Sequence, residues 1–556
     1  MKKSLVFVAL PLLSLLCAAQ APPASAGKSV GCKAVREPLT PAQIEMEQNS
    51  YKKAAEDFTS ELAAHPDSAR LRAWQIRNLI EMSGVKEASA KANAWVAEQP
   101  GVAAAMTAKA EVMVRQGTLP EAYALAAQSQ KVDPCNGRTY FVLGEYENMI
   151  GLFATEKRHM DLAHALDPND DGITSAWISL RPRAESIAER IKFVDASPVF
   201  TAKRREDAKK SLAKTAQATA EECSISSAVK EQTVPFSAIR SRPDAPPEYG
   251  LEMSFNGKKR RLQLDTGASG LLLTYPAAER LGLAIEDTVY VGGLGDEGNQ
   301  KSQRAHVAKL KIGDLEFSNC VLEILPPRSN SSDYSMLDDV DGLVGGDIFR
   351  KFLLTLDYPA GELKLSQLPP RPNETDATSS LNTEGGEGID NALGTTATLQ
   401  DRYRAPEMQD WSQFYRIGHY LLIPTQLNDG AVKLMMADTG ASENLIDPDI
   451  ARTVTKVSTT NRISMAGLSG EADRTHLTDK IVLHFSKLYL PLASMVSVST
   501  ARLSRGAGVE IAGFLGFPAL KQMTLQIDYR DDLINFKYDP KRPVNSKFQS
   551  DAFTRR

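Results

Sequence analysis

The chain has 556 residues, which at roughly 150 residues per domain predicts three or four domains rather than one compact core. Hydrophobic residues make up 42% of the sequence, charged residues 24% and aromatic residues 7%, which argues against collagen-like, coiled-coil and wholly disordered chains. The 65 Lys and Arg residues nearly balance the 69 Asp and Glu residues, giving a formal net charge of -4. Nucleic-acid binding normally needs a basic field, so we expect no nucleic-acid partner.

Residues 1–26 have the organisation of a secretory signal peptide. Two lysines precede an apolar run over 5–19, and small residues follow at 24–26. The run is too short to span a bilayer, so we expect cleavage before Gly27 and no integral membrane segment in the mature chain. A bacterial periplasmic or secreted protein is the expected location. An uncleaved anchor and a lipid on Cys17 are the alternatives.

Four cysteines remain after this segment is removed: Cys32, Cys135, Cys223 and Cys320. They allow three different pairings, and the sequence does not choose among them. No CxxC spacing is present, and His159 and His164 lie five residues apart rather than on one helical face. We therefore expect no metal site and no cofactor.

Prolines at a constant spacing of 34 residues mark an internal repeat: Pro66, Pro100, Pro134 and Pro168. An alanine-rich stretch of helical character precedes each proline: 51–65, 85–99, 119–133 and 153–167. Small residues that permit close helix packing recur at Ala54, Ala88 and Ala122, and Glu156 departs from this pattern. The sequence therefore predicts paired helices stacked into a solenoid.

Residues 40–170 resemble tetratricopeptide repeats. The best-matching unit carries residues in the positions of that family: Tyr140, Leu143, Gly144, Ala163 and Pro168. Helical character continues to about residue 225, so we interpret 40–225 as the repeats with their cap. The resemblance implies a concave surface for a peptide or protein partner. A spacer, or an intramolecular support for the domains that follow, is the alternative.

A second repeat occupies the part of the chain where short Val, Ile and Leu-rich runs punctuated by glycine indicate β-structure. The segment LQLDTGASGLLL at 262–273 recurs as MMADTGASENLI at 435–446, which places Asp265 and Asp438 173 residues apart. A glycine-rich hairpin, a hydrophobic-hydrophobic-Gly triplet and an Asp-Tyr strand follow each copy at similar distances. Two homologous β-lobes explain this duplication.

The duplication divides the second half of the chain into lobes at 230–367 and 406–540. Between them, 368–405 is rich in Pro, Gly, Ser, Thr and acidic residues and nearly free of large apolar ones, which predicts a flexible linker. Its length, on the order of 35 residues, is sufficient for the lobes to turn face to face.

The Asp-Thr-Gly triplet in each lobe places a carboxylate on a tight turn after an apolar strand. Two such carboxylates a few ångström apart cannot both ionise comfortably, so they share one proton. The ionised member can take a proton from an attacking water while the protonated member hydrogen-bonds the peptide carbonyl. Asp265 and Asp438 therefore have the chemistry of a general acid and a general base in one unit.

Both copies resemble the retropepsin-like aspartic protease family, whose motif is Asp-[Thr/Ser]-Gly-Ala followed by a hydrophobic-hydrophobic-Gly triplet. The resemblance implies that Asp265 and Asp438 are the catalytic dyad. It also implies hydroxyls that brace the two catalytic loops and glycines that permit their turns: Thr266, Thr439, Gly267 and Gly440. The triplets at 343–345 and 514–516 would pack beneath the loops. Two glycine-rich hairpins would be flaps that close over substrate, with flap candidates Gly293 and Gly467.

In that family one lobe usually pairs with an identical lobe of another chain, whereas here both lobes lie in one chain, as in bilobal pepsin-like enzymes. We therefore expect an intramolecular dyad, with pairing between chains as the alternative. Ala268 and Ala441 follow the glycines where pepsin-like enzymes often carry Ser or Thr. Fewer hydroxyl donors to the dyad predict higher apparent pKa values and activity nearer neutral than strongly acidic pH. Gly346 and Asp347 depart from the usual retroviral continuation.

The predicted fold class is multidomain α plus β, an N-terminal α-helical repeat solenoid followed by two all-β retropepsin-like lobes. The predicted function is an aspartic-type endopeptidase that hydrolyses peptide bonds of a peptide or protein substrate, with the helical repeats recruiting substrate or partner. A non-catalytic peptide- or protein-binding protein with a protease-like fold, and a repeat-based envelope scaffold, are the alternatives. His306 and His476 follow the two flaps without a Ser or Cys nucleophile motif, so we expect them to be structural.

Overall fold

The computed structural model describes residues 31–217, 223–239, 248–295, 298–325, 340–372, 400–460, 463 and 465–542. The predicted signal peptide at 1–26 lies outside these residues, as does 373–399 of the predicted linker. Among the helices of the described residues, none combines the length and apolar character that a membrane crossing requires. The same residues contain no group of three or more His, Cys, Asp or Glu that could hold a metal ion.

Helices build the N-terminal region: α1 (Pro41–Glu47), α2 (Tyr51–Ala64), α3 (Ala69–Glu81), α4 (Val85–Glu98), α5 (Ala103–Arg115), α6 (Leu119–Val132), α7 (Gly137–Met149), α8 (Phe153–Leu166), α9 (Asp171–Ser179), α10 (Arg183–Ala196) and α11 (Ala202–Gln217). The predicted starts of α2, α4, α6 and α8 are confirmed. Each of these helices ends two residues before its proline, because the residue that precedes a proline is disfavoured in helical conformation. The repeat of 34 residues is therefore a repeat of helix pairs.

The small residues of the repeat lie between packed helices. Ala54, Ala88 and Ala122 are fully buried, so the absence of a larger side chain lets neighbouring helices approach closely. Glu156, at the equivalent place in the last unit, is also buried and accepts a hydrogen bond from the Asn148 amide at 3.0 Å. Burial raises the pKa of Glu156 to about 8, so this carboxyl packs as a neutral group at neutral pH.

Buried ion pairs join helices from the two ends of the helical region. Arg77 of α3 pairs with Asp170, the N-cap of α9, at 2.7 Å. Arg138 of α7 reaches the same carboxylate at 3.3 Å, and Arg70 of α3 lies 3.3 Å from Asp167. These ion pairs link α3 and α7 to the segment between α8 and α9. The predicted use of a concave surface for a partner stays a prediction.

The first lobe consists of short strands and a helix: β1 (Ser224–Ile225), β2 (Gln232–Pro235), β3 (Ser237–Ile239), β4 (Glu248–Phe255), β5 (Lys258–Asp265), β6 (Leu271–Thr274), α12 (Tyr275–Leu281), β7 (Ile285–Val291), β8 (Gln300–Ile312), β9 (Leu315–Leu325), β10 (Gly342–Gly345), β11 (Leu353–Asp357) and β12 (Glu362–Ser366). Within the described residues, nine of these strands form one sheet in the order β1-β9-β6-β10-β5-β4-β8-β7, with β3 beside β4. The parallel pair β5 and β10 lies at its centre.

The second lobe has a similar construction: β13 (Ser412–Gln413), β14 (Tyr415–Ile417), β15 (Tyr420–Leu427), β16 (Val432–Ala437), β17 (Leu445–Ile446), α13 (Pro448–Ala451), β18 (Val457–Thr460), β19 (Ala466–Gly467), β20 (Gly470–Glu471), β21 (Thr475–Thr478), β22 (Ile481–Phe485), β23 (Leu488–Leu492), β24 (Val496–Ser497), α14 (Ala501–Ala507), β25 (Gly513–Leu515), α15 (Phe517–Leu520), β26 (Met523–Asp528) and β27 (Leu533–Tyr538). Its main sheet runs β18-β21-β24-β17-β25-β16-β15-β22-β23, with β14 beside β15. The parallel pair β16 and β25 corresponds to β5 and β10 of the first lobe.

A shared six-stranded sheet joins the two lobes in the order β13-β27-β26-β11-β12-β2. Its central pair crosses the boundary, because β11 of the first lobe runs antiparallel to β26 of the second. Leu354 lies opposite Ile527 and Leu356 opposite Leu525, and all four side chains are fully buried. Backbone pairing and one continuous hydrophobic core therefore hold the lobes together within a single chain.

The described ends of the predicted linker are anchored to the second lobe. Leu368, Arg371 and Ala405 are buried. The Arg371 guanidinium lies 2.7 Å from the buried Asp531 carboxylate, which also accepts a hydrogen bond from the Tyr403 backbone N–H at 2.7 Å. The described residues on either side of 373–399 therefore attach to the same turn, between β26 and β27.

Turns of the helical region pack against the second lobe. At the turn between α5 and α6, the Glu510 backbone N–H donates to the Arg115 carbonyl at 3.0 Å. Leu119 and Ile150, which lie near the turns on this side, share a hydrophobic cluster with Leu434 of β16. The helical region therefore supports the second lobe through both backbone and apolar contacts.

Two disulfides resolve the pairing that the sequence leaves open. Cys32 pairs with Cys135, which ties the segment before α1 to the start of α7. Cys223 pairs with Cys320, which ties the segment before β1 to β9. Each disulfide stays within one region of the chain, so neither one holds the helices to the lobes.

Leu525→Ala is expected to lower the free energy of unfolding by about 2–5 kcal/mol, because it leaves a cavity in the sheet that joins the lobes. Denaturant-induced unfolding followed by tryptophan fluorescence measures this loss. Lys537→Ala, on the neighbouring strand β27 with an exposed side chain, is the control and should change stability by less than about 0.5 kcal/mol. Equal effects of the two substitutions would contradict the importance of the shared sheet.

Candidate active site

The two Asp-Thr-Gly loops lie at equivalent ends of the two parallel strand pairs. Asp265 is the last residue of β5 and lies opposite Gly345 of β10. Asp438 follows β16, and its backbone N–H donates to the Leu515 carbonyl of β25 at 3.0 Å. In each lobe the hydrophobic-hydrophobic-Gly triplet thus runs beside the strand that delivers the aspartate.

The threonines of the two loops brace each other across the lobe boundary. The Thr266 backbone N–H donates to Thr439 Oγ1 at 3.0 Å, and the Thr439 backbone N–H donates to Thr266 Oγ1 at 3.1 Å. Each hydroxyl then donates to a carbonyl of the opposite lobe, Thr266 to Ala437 at 2.8 Å and Thr439 to Leu264 at 2.9 Å. Both threonines are buried, so these four bonds fix the loops in a reciprocal arrangement.

The structure brings the predicted dyad together. The carboxyl groups of Asp265 and Asp438 hydrogen-bond each other. The Gly267 N–H donates to Asp265 Oδ1 at 2.7 Å, and the Gly440 and Ala441 N–H groups donate to Asp438 Oδ1 at 2.9 Å. Backbone amides, rather than hydroxyls, are the donors that orient these two oxygens.

The two glycines of the loops are needed for close approach. A methyl group on Gly267 would come within 2.6 Å of the Asp438 carboxyl carbon, and a methyl group on Gly440 would collide with the Asp265 carboxyl in the same way. Any side chain at either position would therefore push the carboxyl groups apart.

The electrostatics of the dyad favour a shared proton. Burial raises the pKa of Asp438 well above its usual value, and the neighbouring Asp265 charge and the hydrogen bond to Asp265 raise it further. Burial also raises the pKa of Asp265, but the Gly267 N–H, the Asp438 hydrogen bond and the charge of His419 oppose this increase. Asp438 is thus the better proton carrier and Asp265 the more readily ionised member.

The two predicted flap hairpins contact each other. The Gly293 N–H donates to Ser469 Oγ at 2.9 Å, and the Ser469 N–H donates to the Leu294 carbonyl at 3.0 Å. Each hairpin contributes a leucine that packs on the opposite lobe. Leu468, beside Gly467, packs on the apolar cluster of the first lobe that contains Ala268. Leu294 packs on a cluster of the second lobe. The hairpins are therefore in position to cover the cleft.

Sequence reasoning assigned no role at the site to three polar residues beside the dyad, although it noted Asp347 as a departure from the family pattern. Asp347 accepts hydrogen bonds from Ser269 Oγ at 2.7 Å and from the Gly270 N–H at 2.9 Å, so the unusual residue after the first triplet stabilises the catalytic loop. At the turn between β14 and β15, His419 interacts electrostatically with Asp265, and Tyr420 interacts with both dyad carboxyls. For His419, the only sequence signal is its position immediately after a glycine at a hairpin turn, upstream of the second Asp-Thr-Gly motif.

The two histidines considered from the sequence lie elsewhere. His306 is exposed on β8. His476 on β21 is buried, and its ring Nδ1 lies 3.2 Å from Thr459 Oγ1 of the neighbouring strand β18. This contact does not involve a dyad carboxyl.

A family model described as aspartyl protease matches residues 251–348. No curated protein is significantly similar to the chain in sequence. Among solved structures, the aspartic proteinase from Irpex lacteus is 11% identical, with 57% of this chain and 100% of that chain covered at a TM-score of 0.33. A thermophilic TPR protein from Thermus thermophilus is 19% identical, with 31% of this chain and 96% of that chain covered at a TM-score of 0.24. The family match lies within the first lobe, from β4 to the residues just after β10.

Thr266→Val is expected to lower the free energy of unfolding by about 1–3 kcal/mol, because it leaves the buried Thr439 N–H and Ala437 carbonyl without their partner. Thr266→Ser keeps the hydroxyl and is the control, with a clearly smaller loss. Denaturant-induced unfolding of both variants measures the difference. If Thr266→Val and Thr266→Ser lowered the free energy of unfolding equally, the loss would come from packing and not from the hydrogen bonds.

Asp438→Asn is expected to raise the melting temperature near pH 7 and to have little effect near pH 3. The folded-state pKa of Asp438 is raised above its unfolded value, so the wild type loses stability as the pH rises from the unfolded pKa through the folded one. Asn resembles the protonated carboxyl and avoids this loss. Thermal melts across this pH range test it, with the exposed Asp449→Asn as the control. A difference in melting temperature between Asp438→Asn and the wild type that does not depend on pH would contradict the raised pKa of Asp438 as its cause.

Proposed function

We propose that the protein is an aspartic-type endopeptidase whose catalytic dyad is Asp265 and Asp438. The observation that carries the proposal is the pair of hydrogen-bonded carboxyls, with Asp438 buried and Asp265 half-buried, on loops that the two threonines brace. Desolvation and mutual repulsion keep one proton on the pair, which is the state that this hydrolysis needs. The aspartyl protease match over 251–348 supports the same class of reaction.

In this mechanism the two carboxyls act on a water molecule and a peptide carbonyl. The ionised carboxylate takes a proton from the water as its oxygen bonds to the carbonyl carbon, while the protonated carboxyl hydrogen-bonds the carbonyl oxygen. A proton then passes to the leaving nitrogen as the C–N bond breaks. The backbone amides of Gly267, Gly440 and Ala441 keep the carboxyls oriented throughout, since they are part of rigid loops.

The flap hairpins give this site a way to exclude bulk water. Their mutual hydrogen bonds must open to admit a polypeptide and can re-form around it. A peptide or protein substrate lying between the two lobes would meet the apolar surfaces that Leu294 and Leu468 cover. The cleaved sequence is not specified by these contacts.

The helical region supports the second lobe, and we propose this support as its first role. Its contacts through Arg115, Leu119 and Ile150 favour this role. Recruitment of a substrate or protein partner by the repeats stays a further proposal. The two disulfides support a periplasmic or secreted location, since such bonds persist in oxidising compartments.

Asp265→Asn and Asp438→Asn are each expected to reduce cleavage of a peptide library by at least about 10²–10⁴-fold, because each removes one half of the acid–base pair. The measurement is product formation by the mature protein from pH 4 to 8, with Asp449→Asn as a surface control. Loss in both variants with retained folding supports the dyad. Loss in only one would indicate a single functional lobe, and a wild type without cleavage would overturn the proposed function.

We expect the pH optimum of this cleavage to lie nearer neutral than strongly acidic pH, because the pKa values of both aspartates are raised. One carboxyl must be ionised for activity, and a raised pKa moves that ionisation to higher pH. The pH dependence of kcat/KM for the best library peptide measures this. An optimum below about pH 4 would contradict the assignment.

A further inference from the structure

The Asp-Tyr pair near the end of each lobe places a tyrosine at the boundary between the lobes. Tyr358 directly follows β11, and Tyr529 directly follows β26. These are the two strands that pair across the boundary in the shared sheet. Both tyrosines are buried, with 1% and 4% of their surface exposed. The proposed acid–base mechanism uses neither side chain.

The antiparallel pairing of the two strands brings each tyrosine to the other lobe. Asp357 lies opposite Thr524, so the end of β11 lies beside the start of β26, and the end of β26 lies likewise beside the start of β11. A triplet turn, the short helical turn that follows the hydrophobic-hydrophobic-Gly triplet, precedes each strand start: Gly346–Phe349 in the first lobe and Phe517–Leu520 in the second. The tyrosine of one lobe therefore reaches the triplet turn of the other.

Each triplet turn is hydrogen-bonded to the catalytic loop of its own lobe. In the first lobe, Asp347 accepts hydrogen bonds from Ser269 Oγ at 2.7 Å and from the Gly270 N–H at 2.9 Å. In the second lobe, the Phe517 N–H donates to the Ala441 carbonyl at 2.8 Å. A displacement of either triplet turn would therefore move the loop that carries a dyad carboxyl.

Tyr529 of the second lobe lies directly against the first triplet turn. A methyl group on Gly346 would come within 2.3 Å of the Tyr529 hydroxyl oxygen and 3.3 Å of the ring carbon that bears it. The same methyl group would lie 3.5 Å from the methyl carbon of Thr266, one of the two threonines that brace the loops. The Tyr529 ring packs edge-on against the buried Phe414 ring at 6.4 Å. The tyrosine is therefore held in place, and the missing side chain at Gly346 makes room for its hydroxyl.

Tyr358 makes the corresponding contact in the second lobe, but with an aromatic ring. Its ring meets the Phe517 ring edge-on at 5.8 Å. Tyr249 packs edge-on against Phe517 at 5.2 Å and donates a hydrogen bond from its hydroxyl to the Tyr358 carbonyl at 3.1 Å. The second triplet turn thus packs on two rings of the first lobe, whereas the first triplet turn leaves space for one phenol hydroxyl.

We propose that Tyr529 is a positioning residue for the catalytic loop of the first lobe, acting through its contact with Gly346. This inference rests on the proposed endopeptidase function. The buried phenol fixes the distance between the shared sheet and the first triplet turn, because close-packed side chains transmit displacement rather than absorb it. Contacts of the turn with Thr266 and through Asp347 then set the position of the loop that carries Asp265.

Gly346→Ala should lower kcat for the best library peptide by about 10–100-fold, because the added methyl group must displace the triplet turn from the phenol. Gly346→Ala/Tyr529→Phe removes the hydroxyl oxygen that the methyl group meets, and it should recover most of the lost kcat. Tyr529→Leu removes the ring from the turn and should also lower kcat. In all three variants KM should change by less than about 3-fold, since the surfaces that face the substrate are unchanged.

Two matched variants serve as controls. Gly506→Ala adds a methyl group at an exposed position with open space around it, and it should leave kcat unchanged. Gly346→Ala/Tyr538→Phe removes the hydroxyl of an exposed tyrosine, and it should recover none of the lost kcat.

An unchanged kcat in Gly346→Ala would overturn the inference, and so would a loss that Tyr529→Phe does not recover. Both outcomes leave the endopeptidase assignment intact, because the wild type still cleaves. If Gly346→Ala does not fold, the same comparison is made by thermal unfolding. Gly346→Ala/Tyr529→Phe should then regain a cooperative transition, and its failure to do so would overturn the inference.

A second measurement does not require cleavage. Hydrogen exchange is followed by mass spectrometry of the full-length protein, on peptides that cover the loops at 265–270 and 438–443. Gly346→Ala and Tyr529→Leu should each speed exchange more in the first loop than in the second, because only the first triplet turn meets Tyr529. Gly346→Ala/Tyr529→Phe should slow it again. Equal changes in the two loops would overturn the inference, even in a protein that cleaves no peptide.

Discussion

The antiparallel pairing of β11 with β26 is the constraint on which the rest of the structure depends. Each of these strands follows the triplet strand of its own lobe, so joining them brings β10 and β25 towards each other. β10 is paired with the strand that ends in Asp265, and β25 with the strand that precedes Asp438. The shared sheet therefore positions both catalytic loops, and the threonine hydrogen bonds complete the alignment.

This arrangement holds two carboxyl groups together that would be hydrated separately in the unfolded chain. Burial raises the pKa of both Asp265 and Asp438, which means that the ionised pair destabilises the fold in the pH range where it is useful. The continuous core across the lobes and the buried loop hydrogen bonds offset this cost. Such local destabilisation is common at sites where chemistry requires a perturbed group. The stability that the core contributes therefore permits the destabilising site above it.

Local patterns predicted the helical repeats and the position of the dyad loops. The proline spacing indicated where helices such as Tyr51–Ala64 end, because a proline disfavours helical conformation in the residue that precedes it. The duplication of the Asp-Thr-Gly motif indicated two similar lobes, because the motif is a short local pattern that the sequence shows directly. The electrostatic interaction of His419 with Asp265 was missed, because the two residues belong to different lobes. Arg77 and Asp170 likewise show no pattern that predicts their pairing across the helical region.

The sequence by itself determined the repeat period, the two-lobed β-architecture and the carboxylates with the chemistry of an acid–base pair. Those features depend on periodicity, turn chemistry and residue type, which are properties of short segments. Only the tertiary structure decided the disulfide pairs, the intramolecular meeting of Asp265 with Asp438 and the electrostatic interaction of His419 with one of them. These depend on contacts between segments far apart in the chain, whose geometry is set by the shared sheet and the packed core and by no local pattern.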